Sequence, residues 1–206
     1  QLDRAIEKKS MLSLFESDAV FVEPTDFAAL EDFDRIRVFG RYRDDRQILI
    51  DNIPKDGRLG FYVVTPFQPS ISDDLLLVNR GWLPKTADTD LAIAGESRTV
   101  LGLAGYLPQV TLRQGEAFTE HDNWPRVGLY PSIEEVAAEL DAEVLPKVLL
   151  LHPDAEEGFV RRWEPDVSGP MTHYSYAFQW FAMAMVAAGI AGWHLHKRLY
   201  RSLAES

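Results

Sequence analysis

Histidine is the residue type in this sequence best suited to ligand or acid–base chemistry, and three of the five, His173, His194 and His196, flank one uncharged stretch. His173 precedes that stretch while His194 and His196 close it, roughly 31 Å away on a helix rising ~1.5 Å per residue, so the two ends cannot share an ion. His194 and His196 are two positions apart, which on a helix sends their side chains in different directions. No HExxH or HxxxH pairing occurs, and a closed zinc site is therefore not expected. His173 has a context the others lack. On a helical wheel Ala177, Trp180, Ala184 and Ala191 share its face, giving an imidazole, an indole and then small side chains. That face suits a flat ligand, and a neutral imidazole ligates haem iron through one nitrogen. The same small residues also suit close packing of another helix, with His173 hydrogen-bonded at the interface. Both readings stand on the residues alone.

The remaining candidates carry less chemistry. Arg80, followed by Gly81 and Trp82, reads as a strand running toward a turn, with glycine permitting close approach and the guanidinium able to hold a carboxylate, of a ligand or of the protein itself. The pairs Asp44/Asp45, Asp73/Asp74, Asp88/Asp90 and Glu156/Glu157 fall in turn-forming sequence, where Asp is favoured for backbone reasons. His121 and His152 read as ordinary surface or core residues. No serine has a nucleophile-elbow context, and no phosphate-cradling glycine loop or calcium loop is present. The absence of cysteine removes disulfides, thiolate metal sites and cysteine nucleophiles. A formal charge of −11, with no basic stripe interleaved with aromatics, argues against nucleic acid as a partner. No catalytic constellation emerges, and an enzyme is not expected.

These residues must be positioned by elements of two kinds. From Arg35 to about Leu107 the pattern is strand-like, bounded by Gly, Pro and Asp-rich turns. IRVFGRYRDDRQILID predicts two strands around Asp44 and Asp45, LGFYVVTPF a third, LLLVNRGWLP a fourth and RTVLGLAGYL a fifth, with Pro66 and Pro84 at strand ends. LPKVLLLHP, Leu145 to Pro153, predicts another. Strands this short and evenly spaced imply an antiparallel sheet curling into a small barrel. SIEEVAAELDAE predicts a helix, capped by Ser132 with Glu135 completing a capping box.

Tyr174 to Leu195 carries no formal charge over 22 residues, has aromatics at both ends and is followed by Lys197, Arg198 and Arg201. At ~1.5 Å per residue this length matches a bilayer core of ~30 Å. The expectation is a transmembrane helix with a cytoplasmic C-terminus and the large domain on the outer face, contacting membrane lipid. The full expectation is an α+β membrane protein: an amphipathic helix over 1–16, an antiparallel β-barrel-like extracytoplasmic domain with short helices over 17–165, a linker over 166–173, the transmembrane helix over 174–195 and a tail over 196–206. Export of the domain further predicts a signal or an N-terminal transmembrane helix ahead of Gln1.

The segments GRYRDDRQILIDN, LGFYVVTPF, LLLVNRGWLP and HYSYAFQWFAMA, in this order, resemble the Surfeit locus protein 1 family of cytochrome c oxidase assembly factors. QLDRAIEKKSML resembles that family's segment after its first membrane helix, and the likeness is thinner from Phe118 to Val148, where Asn123 and Trp124 carry it. The resemblance implies binding or presentation of haem a for insertion into oxidase subunit I, with haem a synthase as a further partner. It also implies a bacterial inner (cytoplasmic) membrane location with the domain periplasmic, a mitochondrial inner membrane being the alternative. His173 matches the family's second-helix histidine and so becomes the expected axial iron ligand, with Trp180 beside it and Arg80 offered to a haem propionate. The family's Asn-Asn-His stands here as Met171-Thr172-His173. The competing expectation is a scaffold or accessory oxidase subunit that stabilises apo-subunit I without touching haem.

Overall fold

The computed structural model describes residues 20–87, 90–118, 123–161 and 163, together with 180–181, 183–185 and 193. The chain divides into two compact units, Gln1–Pro165 and Asp166–Ser206.

The first unit is built on β1 (Arg35–Tyr42), β2 (Ile48–Lys55), β3 (Arg58–Pro69), β4 (Leu75–Pro84), β5 (Ser97–Gly105), β6 (Arg126–Gly128) and β7 (Val144–Leu151), with α1 (Ile133–Leu140) between the last two strands. They form one seven-stranded sheet in the order β1-β5-β7-β4-β3-β2-β6, with a further short pairing of β1 and β3 through Gly40–Tyr42 and Phe67–Pro69. The β2–β6 and β4–β7 pairings are parallel and the rest antiparallel.

Composition places β4 and β7 in the middle. LLLVNRGWLP is buried at every position except the final proline, and VLPKVLLL is buried from Lys147 onward, as expected for strands covered on both faces. One face packs Ile36, Val38, Tyr42, Phe67, Leu76, Val78 and Leu149. The other packs Ile48, Ile50, Val64, Leu77, Trp82 and Val148 against Val136 of α1. The α1 N-terminus has the expected capping box: the Glu135 amide donates to Ser132 Oγ, and the Ser132 amide donates to the Glu135 carboxylate.

The expected architecture is corrected on two counts. The strands form a mixed sheet in which β7, arriving after α1, inserts between β5 and β4 and runs parallel to β4, and no antiparallel barrel results. Hydrophobic alternation reports which face a residue takes and carries no signal for a strand's partner or direction. The membrane-protein expectation is also overturned: among the described residues no helix is long and apolar enough to cross a membrane. Of the stretch 174–195, Trp180, Phe181, Met183, Ala184, Met185 and Trp193 are described, as helix. The amphipathic helix expected over 1–16, the linker and the C-terminal tail lie outside the described residues. A smaller correction concerns Pro66, which lies inside β3 opposite Leu77 instead of at its end.

Candidate functional site

Arg80 is aimed inward by an irregularity of its own strand. Tyr62 pairs with Trp82 and Val64 with Asn79, so Val63 faces both Arg80 and Gly81 and the pair forms a β-bulge. Gly81 takes φ 114°, in a region favouring glycine, and its amide donates to Asn79 Oδ1 at 3.0 Å. A Cβ at Gly81 would stand 2.8 Å from Arg161 Cγ and 2.9 Å from the Val160 carbonyl oxygen. Glycine thus lets the 159–161 segment close over the bulge, where the Phe159 amide donates to the Arg80 carbonyl at 2.7 Å and Trp82 exchanges two backbone hydrogen bonds with Val160. Trp82 itself is buried, and its indole donates to the Ile53 carbonyl at 2.9 Å.

The bulge delivers the Arg80 side chain, 3% exposed, into a polar pocket of the core. Nε donates to the Glu157 carbonyl at 2.8 Å. Nη1 donates to the Leu91 carbonyl at 3.0 Å and to Gln47 Oε1 at 3.2 Å, with Thr65 Oγ1 at 3.5 Å. The guanidinium carbon lies 5.0 Å from the Phe159 ring centroid. Burial pulls its pKa down from the ordinary arginine value while Tyr42 and Glu157 oppose the shift, and the group remains a cation. Gln47, whose amide donates to the Leu91 carbonyl at 2.9 Å, ties the 91 loop to the same pocket. Arg80 therefore joins β4, the 91 loop and the 157–159 segment through main-chain carbonyls. Gly40 and Tyr42 are both strand residues of β1, and Tyr42 is buried in the core. Gly40 allows close approach of β3, since a Cβ there would meet the Gln68 carbonyl oxygen at 2.1 Å.

His173, the expected iron ligand, lies outside the described residues, as do His194 and His196. Trp180 belongs to the second unit and is 69% exposed; Phe181, Met183, Met185 and Trp193 are exposed with it. Among the described residues no three His, Cys, Asp or Glu side chains are grouped to hold a metal ion. His152 packs edge-on against Phe21, and its Nδ1 accepts from the Asp154 amide at 3.2 Å.

Sequence reasoning missed the network around Lys147. Its ammonium, on β7, donates to Asp32 at 2.6 Å and to the Tyr106 hydroxyl, which donates to the same carboxylate at 2.6 Å. The three residues are separated by up to 115 positions, so no local pattern connects them.

The described residues thus define a mixed-sheet domain locked by a buried arginine, followed by a unit with exposed helical aromatic and methionine side chains. The sequence model of the SURF1 family matches residues 1–185, and the chain belongs to that family. It is 24% identical over 224 residues to a SURF1-like protein of Monosiga brevicollis, covering 96% of this chain and 81% of that protein. A SURF1-like protein of Drosophila melanogaster is 26% identical over 180 residues, covering 78% of this chain and 58% of that one. The SURF1 family is linked to cytochrome oxidase assembly and is not a known family of enzymes.

Proposed function

We propose that this chain acts in cytochrome oxidase assembly by binding or presenting haem a for insertion into subunit I, with His173 as an axial ligand. The observation that carries the reading is the family match, which runs through residues 1–185 and so includes both His173 and Trp180. The donor set suits the group. An imidazole supplies the nitrogen that haem iron takes, and the exposed indole of Trp180 offers a flat apolar face. Bound haem a would be the cargo, and the chain's own residues would hold and orient it without making or breaking a bond. The Nε and Nη1 donors of Arg80 serve main-chain carbonyls of the fold.

The test is an optical spectrum of the whole chain purified from cells that make haem a, beside its His173→Ala form. A haem band in the parent that disappears in the variant, with folding unchanged by circular dichroism, is the expected result. No band in either sinks cofactor handling. A second reading is favoured by the exposed Trp180, Phe181, Met183, Met185 and Trp193, apolar side chains that suit contact with a protein partner. It is a haem-independent scaffold for apo-subunit I, and it requires that capture of subunit I survive His173→Ala and fail in Trp180→Ala.

A further inference from the structure

The outer face of β1 carries a charge pattern that neither the haem a reading nor the scaffold reading uses. Strand alternation turns Ile36, Val38, Gly40 and Tyr42 into the core and leaves Arg37, Phe39 and Arg41 exposed in one row, with half-buried Arg35 at its start. Arg37 and Arg41 are four residues apart, which on an extended strand is roughly 13 Å. Phe39, 47% exposed, lies between them. Across the β5 pairing Leu101 stands opposite Arg37, Thr99 opposite Phe39 and Ser97 opposite Arg41, all uncharged. On the other side of β1, Val22 is 62% exposed and is hydrogen-bonded through its backbone to Arg35 and Arg37. Among the described residues neither the Arg37 nor the Arg41 guanidinium has an ion pair. The expected absence of a basic stripe interleaved with aromatics is thereby corrected over this short row, because only alternation brings the three side chains onto one face.

Arginine and aromatic side chains together are what interface centres are enriched in, and here they face solvent in a chain of net charge −11. The row ends at an open depression of about 450 Å³, where Arg41 meets Gln68, Ser70, Ile71 and Asp73. Gln68 is the register partner of Arg41, and its amide donates to the Ser72 carbonyl at 2.7 Å, shaping the turn that forms the wall. Carboxylates bound the surface at both ends, with Asp34 just before β1, Asp44 and Asp45 just after it and Asp73 in the depression. They restrict what fits. A nucleic-acid backbone or an anionic bilayer presents negative charge over far more than ~13 Å and would run onto these carboxylates within a Debye length of ~8 Å. A short acidic segment confines its charge to the row. Extended, it sets residues i, i+2 and i+4 on one face with the same ~3.3 Å rise as β1, so two carboxylates reach the two guanidinium groups while the residue between them packs on Phe39.

We propose that the Arg37–Phe39–Arg41 row is a docking surface for a short, extended acidic segment of a partner protein, with carboxylates four residues apart and an apolar residue midway. Val22 widens the apolar contact, and the polar depression receives the segment where it continues past Arg41. The surface is independent of the haem a and scaffold readings, which use none of these side chains.

The test is fluorescence anisotropy of a labelled Ser-Glu-Ser-Phe-Ser-Glu-Ser peptide titrated with the whole chain. Saturable binding that weakens as salt is raised is expected. Arg37→Gln and Arg41→Gln should each lower affinity about threefold and together about tenfold, and Phe39→Ser about threefold, with melting temperature unchanged because all three side chains are exposed. A peptide with lysine in place of glutamate should not bind. Failure of the folded chain to bind the glutamate peptide overturns the proposal, as does equal affinity in the double arginine variant. Sedimentation with phosphatidylglycerol vesicles and light scattering of the chain alone read the other occupants. Vesicle binding or self-association that disappears in the double variant would give this face to lipid or to a second copy, and would overturn the acidic-segment assignment.

Discussion

At Arg80 the sequence supplies a cation and the fold chooses its partners. A guanidinium fork takes carboxylate or carbonyl oxygens with similar geometry. Here the carbonyls of Leu91 and Glu157 and the side chain of Gln47 occupy it. Replacing Arg80 with Met would leave two carbonyls without that donor, and a loss of about 3 kcal/mol in urea unfolding is expected. Arg80→Lys should recover only part of that stability, because one ammonium cannot replace the Nε and Nη1 donors along their separate directions. A loss under roughly 0.5 kcal/mol for either variant would mean the fork is not holding the segments together. The residue type and its glycine neighbour were legible in the sequence. The partners were not, because they lie 11, 33 and 77 positions away.

Elements divide by whether their cause is local. The helix α1 is encoded by neighbours: Ser132 and Glu135 satisfy each other's backbone amides, and the expected helix forms where the capping box puts it. Ser132→Ala should cost about 1 kcal/mol in chemical unfolding. An unchanged midpoint would show that the Arg113–Glu135 ion pair alone secures this end. The strands β1 to β5 and β7 were likewise read from alternation and turn residues. β6 was not, because a three-residue strand carries too little periodicity and exists only through its parallel pairing with β2. Gly102 shows the same limit. It looks like a weak point in β5, yet a Cβ there would stand 2.2 Å from the Leu150 carbonyl oxygen, so its smallness sets the β5–β7 approach. Gly102→Ala is expected to destabilise the domain by roughly 1–3 kcal/mol through overpacking.

Over the whole molecule, long-range ion pairs set how stability varies with pH. The hydrogen bonds from Lys147 and Tyr106 hold Asp32 below its ordinary value, and the Arg113 hydrogen bond does the same for Glu135. A carboxylate depressed in the folded state stabilises above its unfolded pKa of about 4, and that contribution is lost as pH falls through the lower folded value. For Lys147 burial opposes the charge, but the hydrogen bonds to Asp32 and Tyr106 outweigh it and raise the pKa. Its contribution is therefore complete below an unfolded pKa of about 10.4 and disappears as pH rises through the higher folded value. Lys147→Met should shallow both the acid and the alkaline limbs of a melting-temperature profile while leaving the Glu135 part of the acid limb; superimposable profiles would exclude this linkage. By itself the sequence determined the strand-rich domain, the capped helix and the family, because alternation, capping and short motifs act between near neighbours. Tertiary structure decided the mixed sheet order, the inward aim of Arg80 and the meeting of Lys147, Asp32 and Tyr106. Those depend on which distant strands pair, and pairing is settled by packing of the whole core.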